Sequence, residues 1–142
     1  MNSTYWPDEQ NEFFSTLIGK KIVDVRGLSC GSDHVSILFE DGTAIKFYHS
    51  QSCCESVELD DIYGDKDDLI GSVLFKLELV TSNDRPRDKY DTSYTWSFYK
   101  FQTSKGYVDL RWYGCSNGYY SETVNVEYYL PEYGNWEENF EN

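Results

Sequence analysis

Four cysteines and two histidines carry most of the nucleophilic and metal-ligating chemistry in this chain. Half of them fall in one run, His49-Ser50-Gln51-Ser52-Cys53-Cys54-Glu55. Thiolate, imidazole and carboxylate are the groups a tetrahedral zinc ion takes, so His49, Cys53, Cys54 and Glu55, with Cys115 joining from elsewhere, form one candidate metal set. The spacing His-x3-Cys-Cys-Glu is not that of a finger or ribbon, and adjacent cysteines seldom ligate the same ion. The competing reading is a strand-end histidine beside small buried thiols. A cysteine nucleophile activated by His49 would also need an orienting acid and an oxyanion hole, which the sequence does not mark. Zinc is thus the one cofactor that the residues suggest, and the leading expectation is none.

Two other constellations stand out. Asp60, Asp61, Asp65, Asp67 and Asp68 cluster around Gly64. Carboxylates near a glycine suggest a calcium loop, but the D-x-[DN]-x-[DN]-G spacing and its closing Glu are missing. A solvated turn leading into a charged helix start fits them better. The third constellation is Trp112, Tyr113, Asn117, Gly118, Tyr119, Tyr120 and Glu122. Tyrosine and tryptophan offer rigid amphipathic contact area, and Asn-Gly lets the backbone bend close to a partner. The basic groove that accompanies base stacking is missing, which argues against direct nucleic-acid binding. No Gly-rich phosphate loop, G-x-S-x-G, HExxH or CxxC occurs.

These residues must be positioned by mainly β structure. Residues 8–18 read as a short amphipathic helix, with Asp8 and Glu9 at its positive end and Phe13, Phe14, Leu17 and Ile18 as its stripe. Lys21 to Arg26 is a strand. Val35 to Phe39 and Thr43 to His49 form a hairpin about Glu40-Asp41-Gly42. Ser56 to Leu59 is a short strand, and 60–68 an acidic turn. Val73 to Val80 is a strand placing Val73, Phe75, Leu77 and Leu79 on one face. Residues 82–92, with Pro86, form an exposed loop. Tyr94 to Phe101 and Tyr107 to Tyr113 make a second hairpin, Thr123 to Tyr129 a last strand, and 130–142 an acidic tail.

The order repeats. Leu17-Ile18-Gly19 and Leu69-Ile70-Gly71 each precede a strand, the hairpin about Gly42 matches that about Gly106, and Glu55 to Leu59 matches Glu122 to Val126. The expected fold is α+β, mainly β: about eight mostly antiparallel strands in a pseudo-duplicated helix–strand–hairpin–strand arrangement with one or two short helices. The whole chain, 1–142, reads as a single domain with internal halves at 8–60 and 61–129.

Composition sets the functional limits. The chain has 142 residues, 18% aromatic, which rules out general disorder. Its formal charge of −13 repels nucleic acid and anionic membrane and favours basic partners. The start lacks a signal-peptide pattern and no run reaches membrane-spanning length. A cytoplasmic location with reduced thiols follows as the expectation. Adjacent Cys53 and Cys54 suit a mutual disulfide poorly.

The stretches LIGKKIVDVRG, GTAIKFYHSQSCCESVELDDIYGD, DDLIGS and GYVDLRWYGCSNGYYSETV resemble an uncharacterised family of small proteins from bacteriophage, prophage and bacterial genomes. The resemblance covers roughly residues 15–128, and His49, Cys53, Cys54, Glu55 and the run from Trp112 to Glu122 carry it most clearly. It implies a setting, a phage-type protein acting in an infected or lysogenic bacterium, without implying a reaction. The expectation is a non-enzymatic acidic protein that binds a host protein with a basic surface. It would inhibit or modulate that partner, for example a CRISPR or other defence nuclease, by mimicking nucleic-acid charge. Its contacts would be Trp112, Tyr113, Asn117, Tyr119, Tyr120, Glu122 and the acids at 60–68. The alternative is a small zinc- or ligand-binding domain built on the His49 loop.

Overall fold

In the computed structural model, which describes residues 3–131, the two Leu-Ile-Gly segments meet back to back. Gly19 N–H donates to the Leu74 carbonyl at 2.8 Å, and Gly71 N–H to the Ile22 carbonyl at 2.7 Å. Ile22 N–H reaches the Ser72 carbonyl at 2.8 Å and Leu74 N–H the Lys20 carbonyl at 2.9 Å. Each partner has its counterpart 52 positions away (19 and 71, 20 and 72, 22 and 74). The bridge between Lys21 and Val73 marks the centre of this local two-fold. Both glycines have positive φ, 91° and 84°, a conformation that costs a side-chain-bearing residue dearly.

The strands follow the same symmetry. In chain order they are β1 (Ser3–Tyr5), β2 (Ile22–Arg26), β3 (His34–Phe39), β4 (Ala44–Tyr48), β5 (Ser56–Tyr63), β6 (Leu74–Ser82), β7 (Ser93–Thr103), β8 (Gly106–Ser116) and β9 (Asn125–Tyr129). Helix α1 spans Pro7–Phe14 and is extended by a 3-10 turn at Ser15–Leu17, and α2 spans Lys66–Leu69. One antiparallel sheet has the order β1-β9-β4-β3-β2, the other β5-β8-β7-β6. Strands β2, β3 and β4 of the first half therefore take β9 from the second, while β6, β7 and β8 take β5 from the first. The halves exchange their last strands. Even the bulges correspond, between Ile22 and Asp24 in β2 and between Leu74 and Lys76 in β6.

Both sheets contribute to one core. Phe47 of β4 lies edge-on to Tyr99 of β7 at 4.7 Å and to Phe101 at 6.1 Å, with Phe14 of α1 closing the cluster. Pro7 starts α1 in the position where its missing N–H costs nothing. Buried Gln10 uses its whole side chain. Its amide donates to the Tyr5 and Val124 carbonyls and its oxygen accepts from the Tyr99 hydroxyl. The first hairpin turns on Gly42 (φ 86°), with the Asp41 carboxylate accepting the Thr43 N–H.

Several local expectations need correction. Strand β5 continues to Tyr63, so Asp60 and Asp61 lie on a strand rather than in an acidic turn. The bulge in β6 buries Leu74, Leu77 and Leu79 and leaves Phe75 53% exposed. A two-residue alternation cannot register that extra residue. Strand β1 pairs with β9 at the sheet edge, a pairing that three residues alone could not announce. Cys53 and Cys54 form a disulfide rather than two free thiols, whereas Cys30 and Cys115 are free. The loop folds back on Glu55, which accepts the Ser52 and Cys53 N–H groups. The acidic tail expected at 130–142 lies, beyond Pro131, outside the described residues.

Candidate functional site

Exchange of the last strands requires the chain to cross between the sheets twice. Residues 49–55 carry it from β4 to β5, and residues 117–124 from β8 to β9. Tyr48 pairs with Asn125, and Ser56 with Cys115, so both crossings lie side by side at one end of the molecule. The His49 ring donates from Nδ1 to the Thr123 carbonyl at 2.8 Å, and Ser50 N–H donates to the Asn125 side chain at 3.1 Å. The two polar loops singled out by sequence thus form one surface.

Each crossing ends on a buried glutamate that gathers its own loop. Glu55 accepts from His49 Nε2 at 2.7 Å and from the Ser52 and Cys53 N–H groups at 2.9 Å each. Both ring nitrogens of His49 therefore face acceptors, a carbonyl on one side and a carboxylate on the other. The His49 bond is the main cause that holds the Glu55 carboxyl down at about 2, with the two N–H bonds adding to it against the opposing effect of burial. Glu122 accepts from the Ser116 hydroxyl at 2.6 Å and the Thr95 hydroxyl at 3.0 Å. The Ser116 oxygen accepts Gly118 N–H, and the Asn117 side chain accepts Tyr119 N–H. Gly114 underlies this loop so closely that a Cβ there would lie 2.0 Å from the Glu122 carbonyl oxygen.

The predicted contact residues separate into two groups. Trp112 and Tyr113 are fully buried, and Glu122 is 9% exposed, so these three do not present a surface. Trp112 points into the core between the sheets. Tyr113 points outward, but the 83–92 loop folds over it. Its hydroxyl accepts Arg87 N–H and donates to Asp91, and the Arg87 guanidinium lies 4.5 Å from its ring centre. Burial and the Asp91 carboxylate push its pKa up to about 12. Trp96, whose Nε1 donates to the Arg85 carbonyl, and Arg111 extend the stack. That loop is accordingly anchored rather than simply exposed. Asn117 and Tyr119 are exposed at the loop tip, Tyr119 to 88%, and Tyr120 is half-buried beside them.

The acids divide in the same way. Asp60 accepts from Arg111 at 2.8 Å and from Arg87 at 3.0 Å. Asp65 and Asp68 form a reciprocal capping box at the start of α2. Asp61 and Asp67 face solvent. Among the described residues no group of three or more His, Cys, Asp or Glu is arranged to hold a metal. His49 and Glu55 are engaged with each other and with backbone, and Cys53 with Cys54. The free Cys115 thiol is pushed up by burial and the Asp91 charge, away from thiolate chemistry.

Sequence reasoning missed the second histidine. His34 stands opposite Tyr48 across the β3–β4 hairpin, with its Nδ1 bonded to Asp33 at 2.9 Å. The Asp41-Gly42 turn fixes that register, so the pairing could have been counted outward from it.

A family model described as a domain of unknown function, DUF7448, matches residues 15–126. No curated protein and no solved structure matches the chain. The matched span includes both crossing loops and stops at the start of β9.

Proposed function

The chain belongs to the DUF7448 family, a domain of unknown function, and on that footing we propose that it is a non-enzymatic binding protein whose contact surface is the tip of the second crossing loop. The observation that carries this reading is Tyr119, 88% exposed on a turn braced by Ser116, Asn117 and buried Glu122. A large ring held in water on a fixed turn supplies contact area at little entropic cost to a partner. Asn117 and Tyr120 flank it. The formal charge of −13 selects a basic protein surface and speeds the encounter.

In a phage or prophage setting the specific form of the proposal is a host nucleic-acid-handling protein, such as a CRISPR or other defence nuclease. Its basic groove would be occupied by charge in place of nucleic acid. Asp67 is available to such a groove, whereas Asp60, Asp65 and Asp68 serve the fold first and Asp61, though exposed, is paired with Arg111 at 3.5 Å. The test is retention of host-lysate proteins on the tagged full chain, with stepwise salt elution and mass spectrometry, run beside Tyr119→Ala. The expected result is a basic protein that elutes at moderate salt from the parent and is lost from the folded variant. Equal retention by Tyr119→Ala, or only proteins that bare resin also holds, would overturn the reading.

A further inference from the structure

The four cysteines divide into one bonded pair, Cys53 and Cys54, and two free thiols, Cys30 and Cys115. A disulfide stabilises a fold chiefly by shortening the loops of the unfolded chain, and the effect grows with the length of loop closed. Cys53 and Cys54 are adjacent, so their bond closes the shortest loop a chain offers and adds least to global stability. Both residues are exposed, within a run from Ser50 to Cys54 that is exposed throughout. The bond is therefore open to an attacking thiolate and dispensable to the core, the opposite of a structural staple.

What the bond does constrain is the first crossing. Cys53 N–H donates to Glu55 at 2.9 Å, and the Cys53 carbonyl accepts the Gln51 amide at 3.2 Å. Gln51 also donates to the Glu55 carbonyl at 2.6 Å, and Ser52 N–H to the Glu55 carboxylate at 2.9 Å. These bonds tie an exposed run to one buried residue. From there the contacts continue through His49, 2.7 Å from Glu55, to the Thr123 carbonyl of the second crossing at 2.8 Å. A ring across Cys53 and Cys54 withholds conformations from the loop in its opened state. Cleaving the ring restores them, so the loop opens more often and the Ser52 and Cys53 N–H groups leave Glu55 more often.

We propose that Cys53–Cys54 is a reversible redox-modification site, reduced by a dithiol, whose state is passed to both crossings through Glu55 and His49. A thiolate of the dithiol attacks one sulfur of the pair, forming a mixed disulfide and releasing the other cysteine, which takes up a proton. The second thiol of the dithiol then displaces the first cysteine and leaves as a cyclic disulfide, so two electrons and two protons pass to the chain. A peroxide reverses the change. It oxidises one cysteine to a sulfenic acid and becomes water, and the neighbouring thiol attacks that sulfur, closing the S–S bond and expelling a second water. The site stands apart from the question of whether Tyr119 meets a partner.

The intact chain is compared after stoichiometric hydrogen peroxide and after dithiothreitol, by alkylation with peptide mapping, amide hydrogen exchange and histidine ring resonances. The expected result is alkylation of Cys53 and Cys54 in the reduced chain alone. Exchange of the Ser52 and Cys53 amides becomes about tenfold faster on reduction, while the β7 and β8 amides keep their protection. The His49 ring resonances shift between the two states, peroxide restores the first, and Cys54→Ser makes exchange and resonances indifferent to dithiothreitol. Alkylation of both cysteines in the peroxide-treated chain overturns the site. Loss of β7 and β8 protection on reduction would make the bond a staple, and unchanged loop exchange with unchanged His49 resonances would show that its state goes no further; either result overturns the switch.

Discussion

His49 and Glu55 bond to each other inside the crossing, with the second His49 nitrogen on the Thr123 carbonyl and Glu55 also accepting the Ser52 and Cys53 N–H groups. Because the Glu55 carboxyl is depressed from an ordinary 4.5 to about 2, its contribution to stability is present above 4.5 and is lost as pH falls through about 2. Glu55→Gln should lower the thermal midpoint at neutral pH and flatten its fall between those two values. Parallel pH profiles for parent and variant would remove the pair from the account. Tyr113 presents a different case, since its hydroxyl anchors a loop rather than a charge pair. Tyr113→Phe should cost roughly 1 kcal/mol and expose the 83–92 loop to proteolysis, measured as faster cleavage at Arg87 or Lys89. Unchanged cleavage would show that the stacked rings and guanidinium groups hold the loop without the hydroxyl.

Among the elements, the β6 edge shows how a bare strand is closed. The Asn11 side chain in α1 donates to the Leu79 carbonyl at 3.1 Å and accepts Leu79 N–H at 2.7 Å, standing in for a neighbouring strand. Asn11→Ala leaves both backbone groups open and should cost about 1–3 kcal/mol, with a greater tendency to self-associate through that edge. Light scattering at matched concentration tests the second effect. The second crossing depends on contact rather than on bonding. Gly114→Ala places a methyl group against the Glu122 backbone, and with no flexible side chain to yield, the loss should be about 3 kcal/mol or more. A near-neutral outcome in chemical denaturation would mean that the crossing can shift as a body.

For the molecule as a whole, exchange of β5 and β9 makes the halves interdependent. Neither sheet is complete without a strand from the other half, and both line one core. Heat or denaturant should therefore unfold the protein in one transition, with near- and far-ultraviolet circular dichroism coincident. Two separated transitions would show that each half holds its sheet without the borrowed strand. The same exchange sets the candidate binding surface at the end where the chain crosses. There the Tyr119 tip and the Cys53–Cys54 turn are brought within one region although more than 60 positions separate them in the chain.

What the sequence determined by itself was the local pattern. Strand alternation, Asp-Gly turn chemistry and the paired Leu-Ile-Gly segments depend on residues a few positions apart, and they made the mainly antiparallel, pseudo-duplicated arrangement legible. The two polar loops were legible as well, because each breaks an apolar alternation with small and polar residues. Only the tertiary structure decided which side of a strand faced what. Tyr113 alternates outward from the core, and nothing within β8 announces that Arg87 and Asp91 will cover it. Asp60 looks like one of five solvated acids until β5 is laid beside β8 and Arg111 comes within reach. Strand exchange was likewise invisible, since either half's last strand has the same pattern and pairs equally well with either hairpin by local rules. The choice is made by burial of one shared core, a property of no single segment, and it is this choice that joins the two loops.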